Sequence, residues 1–478
     1  MGMAQGVCPR YKPSPIGGHP DVFGTLTALA LTLLPTAHAV EVAWDGHYRA
    51  RGRYFNSLSL ATPEENEFSE ESSLWIDHRL RLAPTFKFSD SVSVFTEVDV
   101  LPFVTWGGNP STLTDPATGE EGAAVYANTV AAPTTAEGAD SIQNVQARRV
   151  FAEINTKYAK IRFGRMPVEW GSGMVYNAGN DPLSEYGDTA DRIQVIAPVG
   201  ALYLIGAAET SAENFVNQAD DLKTFTGGVA YLGERYGVGS YNTYRIQTFE
   251  DDSQFKIFTV DLWAKAELGM TEFEFEFAFQ TGSGNLSQDV NDVRISGIGT
   301  QLTALLGNDK MRVGASSGLA TGDQDPVDNQ FRAFSFDPDF NVALMMFEEP
   351  MPVLNHENPN LSSNGGREWG AVRLGEGISN ALYVRPAFQY TVMEGLDLEI
   401  AWIGAKAAKL PESESDDNGY GSEFDFTIDY RPFDHFRLTS TTGIFMPGKY
   451  ISSFEHEELG GGFTETAIGS RLVGTVNF

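Results

Sequence analysis

The last stretch of the chain, residues 468–478, alternates between two kinds of side chain. Counting back from Phe478 in steps of two, the residues are apolar or glycine, with Ser470 as the single polar interruption. The residues between them are mostly small or polar, so a β-strand here has one apolar face and one wettable face. A last strand of this kind, with a terminal aromatic ring at the lipid interface, is typical of transmembrane barrels. We therefore predict that Phe478 closes a barrel.

The same alternation recurs along the chain. In residues 272–279, four phenylalanines alternate with three glutamates and an alanine. We expect eighteen strands, or sixteen if one hairpin is misread, and an even number is what single-chain bacterial barrels have. The predicted strands lie near residues 42–54, 74–88, 92–104, 146–154, 159–166, 191–197, 201–208, 224–232, 236–247, 255–268, 271–280, 293–305, 311–319, 380–391, 396–406, 422–430, 436–445 and 466–478.

The connections between the predicted strands alternate between short and long. Tight-turn compositions occur, for example, at residues 89–91, 155–157, 233–235 and 393–395, and long polar stretches such as 105–145 and 320–379 separate them. Short periplasmic turns and long external loops are the pattern of outer-membrane barrels. The fold class is therefore all-β, a transmembrane antiparallel up-and-down β-barrel, and we expect residues 40–478 to form it as a single domain.

The N-terminal residues have the pattern of a secretory signal peptide. Arg10 and Lys12 precede an apolar run from Phe23 to Leu34, which is too short to span a bilayer as a helix, and an Ala-His-Ala cleavage pattern ends at Ala39. We expect residues 1–39 to be removed on export through the periplasm. The only cysteine, Cys8, lies in this segment, so the exported protein has no disulfides.

Arginines concentrate on a few neighbouring strands. Arg49, Arg51 and Arg53 alternate with apolar or small residues in the first strand. An arginine on the lipid face near the bilayer midplane costs about 2–4 kcal/mol, so this face is expected to line the lumen. Arg437 and Arg471 lie on the last two predicted strands, which are next to the first strand once the barrel closes. They therefore extend the same wall. The predicted basic, pore-lining wall comprises Arg49, Arg51, Arg53, Arg79, Arg81, Arg149, Arg162, Arg437 and Arg471.

Carboxylates dominate the inward phases of other strands. The predicted acidic, pore-lining wall comprises Glu272, Glu274, Glu276, Asp397, Glu399 and Asp425. Opposed walls of opposite charge would orient polar solutes in a wet lumen. The alternative is that any water-filled lumen carries mixed charge. Two residues do not suit the face to which the alternation assigns them. His78 falls on the lipid-facing side, and Arg148, next to Arg149, must point outward unless its side chain snorkels to the rim of the barrel.

One acidic loop has closely spaced oxygen ligands. Asp323, Asp325 and Asp328 carry the hard donors that Ca²⁺ prefers, although the glycine and bidentate glutamate of an EF-hand loop are missing. A solvated acidic loop is the simpler interpretation, and divalent bridging to the anionic sugars of the outer leaflet is a third. A structural calcium ion in this external loop is the only cofactor that the sequence suggests.

Several short motifs resemble those of Gram-negative porins. Residues 148–154 and 161–165 look like a porin strand pair, while residues 170–174, 318–325 and 421–430 resemble the alginate-export type of barrel. That resemblance implies an eighteen-stranded monomer, recognition of Phe478 by the barrel-assembly machinery, and a loop 167–190 that folds inward and narrows the channel. Alginate exporters have a strongly arginine-lined lumen, from which the row of Glu272, Glu274 and Glu276 departs.

Enzymatic function finds little support. His47 is the only histidine on an inward strand phase, and neither a metalloprotease motif nor a Gly-x-Ser-x-Gly elbow occurs. The net charge of −31 disfavours nucleic-acid binding. We expect a monomeric outer-membrane porin for passive diffusion of small polar or anionic solutes, in contact with the lipid bilayer and lipopolysaccharide. The alternatives are an exporter of an anionic, alginate-like polysaccharide and a structural or adhesive barrel plugged by its own loops.

Overall fold

The computed structural model describes most of the predicted barrel and parts of its loops. The described residues are 40–58, 60, 72–106, 113–114, 121–122, 145–212, 221–249, 252–285, 292–324, 328–349, 377–410, 417–452 and 464–478. The predicted signal peptide, residues 1–39, and most of the predicted long loops lie outside them.

Eighteen antiparallel strands form the barrel, as predicted. Most bounds agree with the predicted ones to within a few residues, because alternation is a local signal. The strands are β1 (Gly46–Asn56), β2 (Ser72–Leu82, continued as Thr85–Ser89), β3 (Val92–Thr105), β4 (Val145–Asn155), β5 (Lys160–Pro167), β6 (Thr189–Val199), β7 (Leu202–Ala212), β8 (Leu222–Leu232), β9 (Tyr236–Thr248), β10 (Gln254–Leu268), β11 (Thr271–Gly284), β12 (Val293–Gly307), β13 (Met311–Ala320), β14 (Ala381–Met393), β15 (Leu396–Ala407), β16 (Gly419–Phe433), β17 (Phe436–Pro447) and β18 (Ala467–Asn477).

A few shorter elements accompany the barrel strands. Glu41–Ala43 pairs with Thr85–Lys87 of β2, and Gln330–Phe331 runs parallel to the start of β12. Leu113–Thr114 and Glu121–Gly122 form a separate two-stranded ribbon, and Lys449–Ser452 is a single helical turn after β17. No helix in the described part of the chain is long and apolar enough to cross a membrane.

The barrel closes between its first and last strands. Each strand pairs with its neighbour in the chain, and β1 pairs with β18 from His47 opposite Asn477 to Asn56 opposite Ile468. The backbone amides of Gly46 and Phe478 each donate to the other residue's carbonyl oxygen at 3.1 Å. A closed sheet has no unpaired edge, which is the condition for a sheet to cross a bilayer.

The two faces of the sheet differ as the alternation predicts. On β11, Phe273 and Phe275 are exposed on the outside, while Glu276 is completely buried on the inside. Leucine, valine, isoleucine and aromatic side chains form the exposed outer surface of most other strands as well. A closed barrel with this apolar exterior is a transmembrane barrel of the Gram-negative outer membrane.

The structure corrects one orientation and confirms another. Pairing between β3 and β4 shifts from Glu97 opposite Arg149 to Val98 opposite Ala147, so Arg148 is the extra residue of a β-bulge. Its guanidinium lies 3.6 Å from the carboxylates of Glu97 and Asp99 inside the barrel, and the outward orientation predicted for Arg148 is therefore wrong. His78 does face outward, where its ring contacts Tyr48.

Candidate functional site

A loop that joins β5 to β6 lies inside the barrel, as the resemblance to porins predicts. We call residues 168–188 the first inward loop. Trp170 stacks on Tyr241 of β9 with ring centroids 5.3 Å apart, and the Tyr176 hydroxyl lies 2.9 Å from Thr243 Oγ1. These aromatic contacts bury Trp170, Tyr176 and Tyr241 together, which fixes one side of the loop against the wall formed by β6 to β10.

Arginines of the predicted basic wall hold the other side of this loop. Arg79 donates to the carbonyl oxygens of Ser184 at 2.9 Å and Pro182 at 3.1 Å. Arg49 also donates to Pro182, at 3.1 Å, and Arg81 donates to the carbonyl oxygen of Gly179 at 2.9 Å. A guanidinium presents several donors in a rigid fork, so it can bind adjacent carbonyl groups that a loop leaves unpaired. Arg49 and Arg79 have no exposed surface as a result.

Carboxylates on neighbouring strands pair with the same arginines. Arg51 lies 2.9 Å from Asp77, Arg81 lies 2.8 Å from Asp99, and Arg149 lies 2.9 Å from Glu97. Cross-strand register places Arg51 directly opposite Asp77 and Arg81 opposite Asp99. Asp77, Glu97 and Asp99 are absent from the predicted acidic wall. The alternation of side chains along β2 and β3 would have identified them as inward-facing. The arginine row is thus largely neutralised by its own surroundings.

The remaining predicted basic residues also face inward. Arg53 pairs with Glu185 of the first inward loop at 2.9 Å. Arg162 lies 2.8 Å from Glu153, and Arg437 donates to Asp429 at 2.9 Å. Arg471 is buried on β18. All nine predicted arginines therefore lie on the inner face of the sheet, and their role in lining a permeation path stays a prediction.

A second segment also fills part of the interior. We call residues 332–349 the second inward loop. Its apolar residues, including Phe336, Leu344 and Met345, pack in a buried cluster with wall residues such as Tyr383 and Phe445. The predicted polar lumen thus contains an apolar core, which alternation within the strands does not reveal. Hydrophobic burial contributes about 25 cal/mol for each Å² removed from water, so this cluster holds the loop firmly.

Two carboxylates of β16 bind the backbone of the second inward loop. Glu423 accepts hydrogen bonds from the amides of Met345 at 2.9 Å and Met346 at 2.7 Å. Asp425, which belongs to the predicted acidic wall, accepts from the amide of Leu344 at 3.1 Å. Glu423 and Asp425 therefore hold the second inward loop through its backbone amides, whereas Arg49, Arg79 and Arg81 hold the first inward loop through its carbonyl groups.

The two inward loops also contact each other. The amide of Asp337 donates to the carbonyl oxygen of Met174 at 2.7 Å, and Asp339 Oδ1 accepts from the amide of Glu185 at 2.8 Å. The carboxyl groups of Asp188 and Asp337 interact electrostatically at this junction. Burial raises the pKa of Asp188 to about 6, and burial together with the Asp188 carboxylate raises the pKa of Asp337 to about 9.

The row of glutamates on β11 faces inward as predicted, and its members differ in their partners. Glu276 accepts from the amide and the hydroxyl of Ser172 in the first inward loop, at 2.5 and 2.6 Å. Gly171 permits this approach, because a Cβ at this position would lie 2.3 Å from the Glu276 carboxylate. Glu274 accepts from Trp263 Nε1 at 2.9 Å. Glu272 is partly exposed toward the interior.

The other members of the predicted acidic wall lie on β15. Glu399 pairs with Arg385 and accepts from Gln389 Nε2 at 2.6 Å. Asp397 accepts from the Thr391 hydroxyl at 2.6 Å and pairs with Arg431. These carboxylates therefore form local pairs on β14 to β16, and a pore-lining role for them stays a prediction.

An open cavity of about 460 Å³ remains between the inward loops and the wall formed by β10 to β14. Its loop side includes Ser172, Asn180 and Asn341, and its wall side includes Glu272 and Glu274. The cavity is of the size that small-molecule sites usually have. The sequence predicted the charged wall, but the boundary of the cavity depends on where the two loops lie.

A guanidinium group, that of Arg332, lies beside the predicted calcium site. Arg332 lies 3.5 Å from Asp323 and 3.2 Å from Asp328, whereas Asp325 lies outside the described residues. Among the residues that the structure describes, no group of three or more metal-ligating side chains occurs. A calcium ion bound by the three aspartates stays a prediction.

Comparisons with known proteins show the fold. No protein-family model and no curated protein matches the chain. The crystal structure of OpdG (OccK9) from Pseudomonas aeruginosa is similar with a TM-score of 0.52 and 11% identity, over 92% of this chain and 99% of that one. OccAB1 from Acinetobacter baumannii gives a TM-score of 0.50 and 8% identity, over 91% of this chain and 96% of that one. The chain therefore has the fold of porin-like outer-membrane barrels.

Proposed function

We propose that this protein is a porin through which small hydrophilic solutes diffuse passively across the outer membrane. The observation that carries the proposal is the cavity of about 460 Å³ inside a closed barrel, which lies between the inward loops and β10 to β14 and has charged, polar and apolar side chains in its lining. A barrel whose apolar surface faces lipid encloses a separate polar compartment. In this proposal the protein acts as a monomer, and the barrel-assembly machinery inserts it through recognition of Phe478.

The position of the inward loops favours small solutes over polymers. Arg79 and Glu423 each bind the backbone of a loop, and the apolar cluster around Leu344 occupies interior volume. A polysaccharide chain needs a continuous wide path, so export of an alginate-like polymer would require both loops to leave these contacts. Glu272 and Glu274, which line the cavity, also repel a polyanion. Export of an anionic polysaccharide is therefore the weaker proposal.

A loop-plugged structural or adhesive barrel is the second candidate. The extensive contacts of both inward loops with the wall favour it, since a fully packed interior would not conduct. Catalysis is not proposed. His47 Nε2 lies 3.2 Å from the guanidinium of Arg79, a group that cannot serve as the nucleophile that an inward histidine base would activate.

Reconstitution of the purified barrel into planar bilayers tests the proposal. We expect stepwise single-channel currents in KCl, and swelling of proteoliposomes in small sugars but not in oligosaccharides. Protein unfolded by heating before reconstitution is the control. Folded protein that inserts without conducting would favour the plugged barrel, and equal permeation of oligosaccharides would favour polysaccharide export.

A further inference from the structure

The wall of the cavity consists of inward residues in register on five neighbouring strands. One row runs across β10 to β14 through Lys265, Glu274, Thr303, Ser316 and Arg385. In a sheet, directly opposite side chains lie within about 4.5–5.5 Å of one another at Cβ. The row therefore presents charged and hydroxyl groups side by side at one height of the barrel.

The row above it ends on an unusual tyrosine. Trp263, Glu276, Gln301, Gly318 and Tyr383 are in register, and the Tyr383 ring covers Gly318. Tyr383 is 1% exposed and lines the cavity, and its hydroxyl has no hydrogen-bond partner among the described residues. A buried hydroxyl without a partner is costly, so this group is available to a bound solute.

Charges at the cavity are unequal. Five carboxylates line it, namely Glu169, Asp181, Glu272, Glu274 and Asp339. Three cations do so, namely Lys265, Arg385 and Arg471. Arg385 is paired with Glu399 and donates to the carbonyl oxygen of Val342 at 2.9 Å, and Asp339 is likewise occupied by the amides of Glu185 and Tyr186. Four carboxylates and two cations, Lys265 and Arg471, are then left at the cavity. The charge that remains available to a solute is therefore negative.

The arginine row does not offset this negative charge. Arg49 and Arg51 are at most 1% exposed and lie 3.4 and 2.9 Å from Asp77, and Arg81 lies 2.8 Å from Asp99. A charge that is paired and covered contributes little to the potential in a neighbouring aqueous space, because its partner cancels its field at a distance.

We propose that this cavity is a selectivity site for small organic cations. Glu272 and Glu274 bind the ammonium or guanidinium group of the solute, and the hydroxyls of Tyr383, Thr303 and Ser316 bind its polar remainder. The inference rests on the proposed porin function and gives it a substrate class. The many inward arginines suggest anionic solutes, and the proposal predicts cationic solutes instead.

The test uses the full-length barrel in planar bilayers under a KCl gradient. We expect the reversal potential to show a preference for K⁺ over Cl⁻, and Glu272→Gln combined with Glu274→Gln to reduce the permeability ratio about threefold or more, most strongly at low salt. Glutamine keeps an oxygen to accept from Trp263. The matched control is Glu234→Gln combined with Glu394→Gln, which removes the same charge at exposed turns.

Blocking experiments identify the kind of cation. Putrescine should reduce the open-channel current at lower concentration than Mg²⁺ does, whereas succinate should have no such effect. Tyr383→Phe removes only the unpaired hydroxyl and should weaken block by putrescine about three- to tenfold without changing the KCl reversal potential. Equal block by Mg²⁺ would mean a general cation filter and would overturn the organic-cation site.

Two further outcomes separate this inference from the proposed function. An open channel that prefers Cl⁻, or one whose selectivity is the same in the glutamine variant, overturns the cation site and leaves the porin intact. Folded protein that does not conduct overturns the porin function, and the inference with it. Heat-modifiable migration in gels verifies that each variant is folded before its currents are compared.

Discussion

Glu276 of β11 accepts two hydrogen bonds from Ser172, one from the backbone amide at 2.5 Å and one from the hydroxyl at 2.6 Å. This pair joins the first inward loop to the barrel wall at the point where the loop turns. A hydrogen bond contributes about 0.5–1.5 kcal/mol net, so the two together help to fix the position of the loop.

The first prediction uses the glycine beside this contact. Gly171 has a φ of +61°, and a Cβ there would collide with the Glu276 carboxylate. We expect Gly171→Ala to displace the loop, with a larger single-channel conductance and faster proteolysis within residues 168–188. Gly269→Ala is the matched control, since Gly269 has a φ of +67° but no atom within 4 Å of the added carbon. Similar behaviour of the two variants would contradict the role of the contact.

The second prediction concerns the buried arginines. Arg79→Gln removes the guanidinium that donates to Ser184 at 2.9 Å and to Pro182 at 3.1 Å and leaves only Arg49 as a donor to these carbonyl groups, at a cost of about 0.5–1.5 kcal/mol for each hydrogen bond lost. We expect a lower thermal unfolding temperature and noisier currents. Arg165→Gln is the control, because Arg165 forms an exposed pair with Asp191 on the outer face, and such pairs contribute about 0–1 kcal/mol. Equal losses of stability in the two variants would count against a structural role for Arg79.

A third prediction concerns barrel closure. Deleting Phe478 removes the reciprocal backbone hydrogen bonds with Gly46 at the β1–β18 seam, and Phe478→Asp places a charge at the lipid interface. We expect less folded protein in the outer membrane and unchanged export to the periplasm, measured by heat-modifiable migration after fractionation. Phe433→Asp alters another exposed aromatic residue away from the seam and serves as the control. Normal assembly of both Phe478 variants would exclude its role in closure.

The fourth prediction concerns pH. The raised pKa values of Asp188 and Asp337 mean that the folded pair binds more protons than the unfolded chain does, so the pair stabilises the loop junction at low pH. That contribution should decline as the pH rises above about 4 and through the Asp337 pKa of about 9. The nearby charge of Asp339 also raises the pKa of Asp337. The charge of Glu209 raises the pKa of Asp188, and that of Arg245 lowers it.

Trp170 fluorescence can report the junction, because Trp170 is buried within the first inward loop. A pH-dependent change in its emission, together with increased current noise at alkaline pH, is expected in the unmodified protein. Asp337→Asn cannot ionise at the junction and should remove most of this dependence. The prediction fails if the variant and the unmodified protein have the same pH profile.

The fifth prediction tests which side of the membrane each connection faces. Since the only cysteine lies in the predicted signal peptide, single cysteines can be introduced without further changes. Cysteines within residues 55–73, 105–145 or 320–379, other than in the buried second inward loop (332–349), should react with an impermeant reagent on intact cells. Cysteines at residues 89–91 or 393–395 should react only after the outer membrane is permeabilised. Labelling of both groups on intact cells would contradict the topology.

Strand positions were accessible from the sequence because each strand carries its own evidence. In β11 the phenylalanines must meet lipid and the glutamates must avoid it, whatever the rest of the chain does. The inward orientation of Arg49, Arg51 and Arg53 follows from the same reasoning. Arg148 was misassigned because a bulge changes the phase of β4, and a bulge depends on how two strands pair.

The sequence by itself thus determined the barrel, its strand order, its closure at Phe478 and the inner face of the sheet, because all of these follow from local alternation and from the need to pair every strand. Only the tertiary structure decided what the inner face contacts. Arg79 meets Ser184 and Glu423 meets Met346 across more than seventy residues of chain, and no local pattern encodes such pairs. Because the loops cover the arginines and leave Glu272 and Glu274 at the cavity, the electrostatic character of the interior depends on packing as well as on composition.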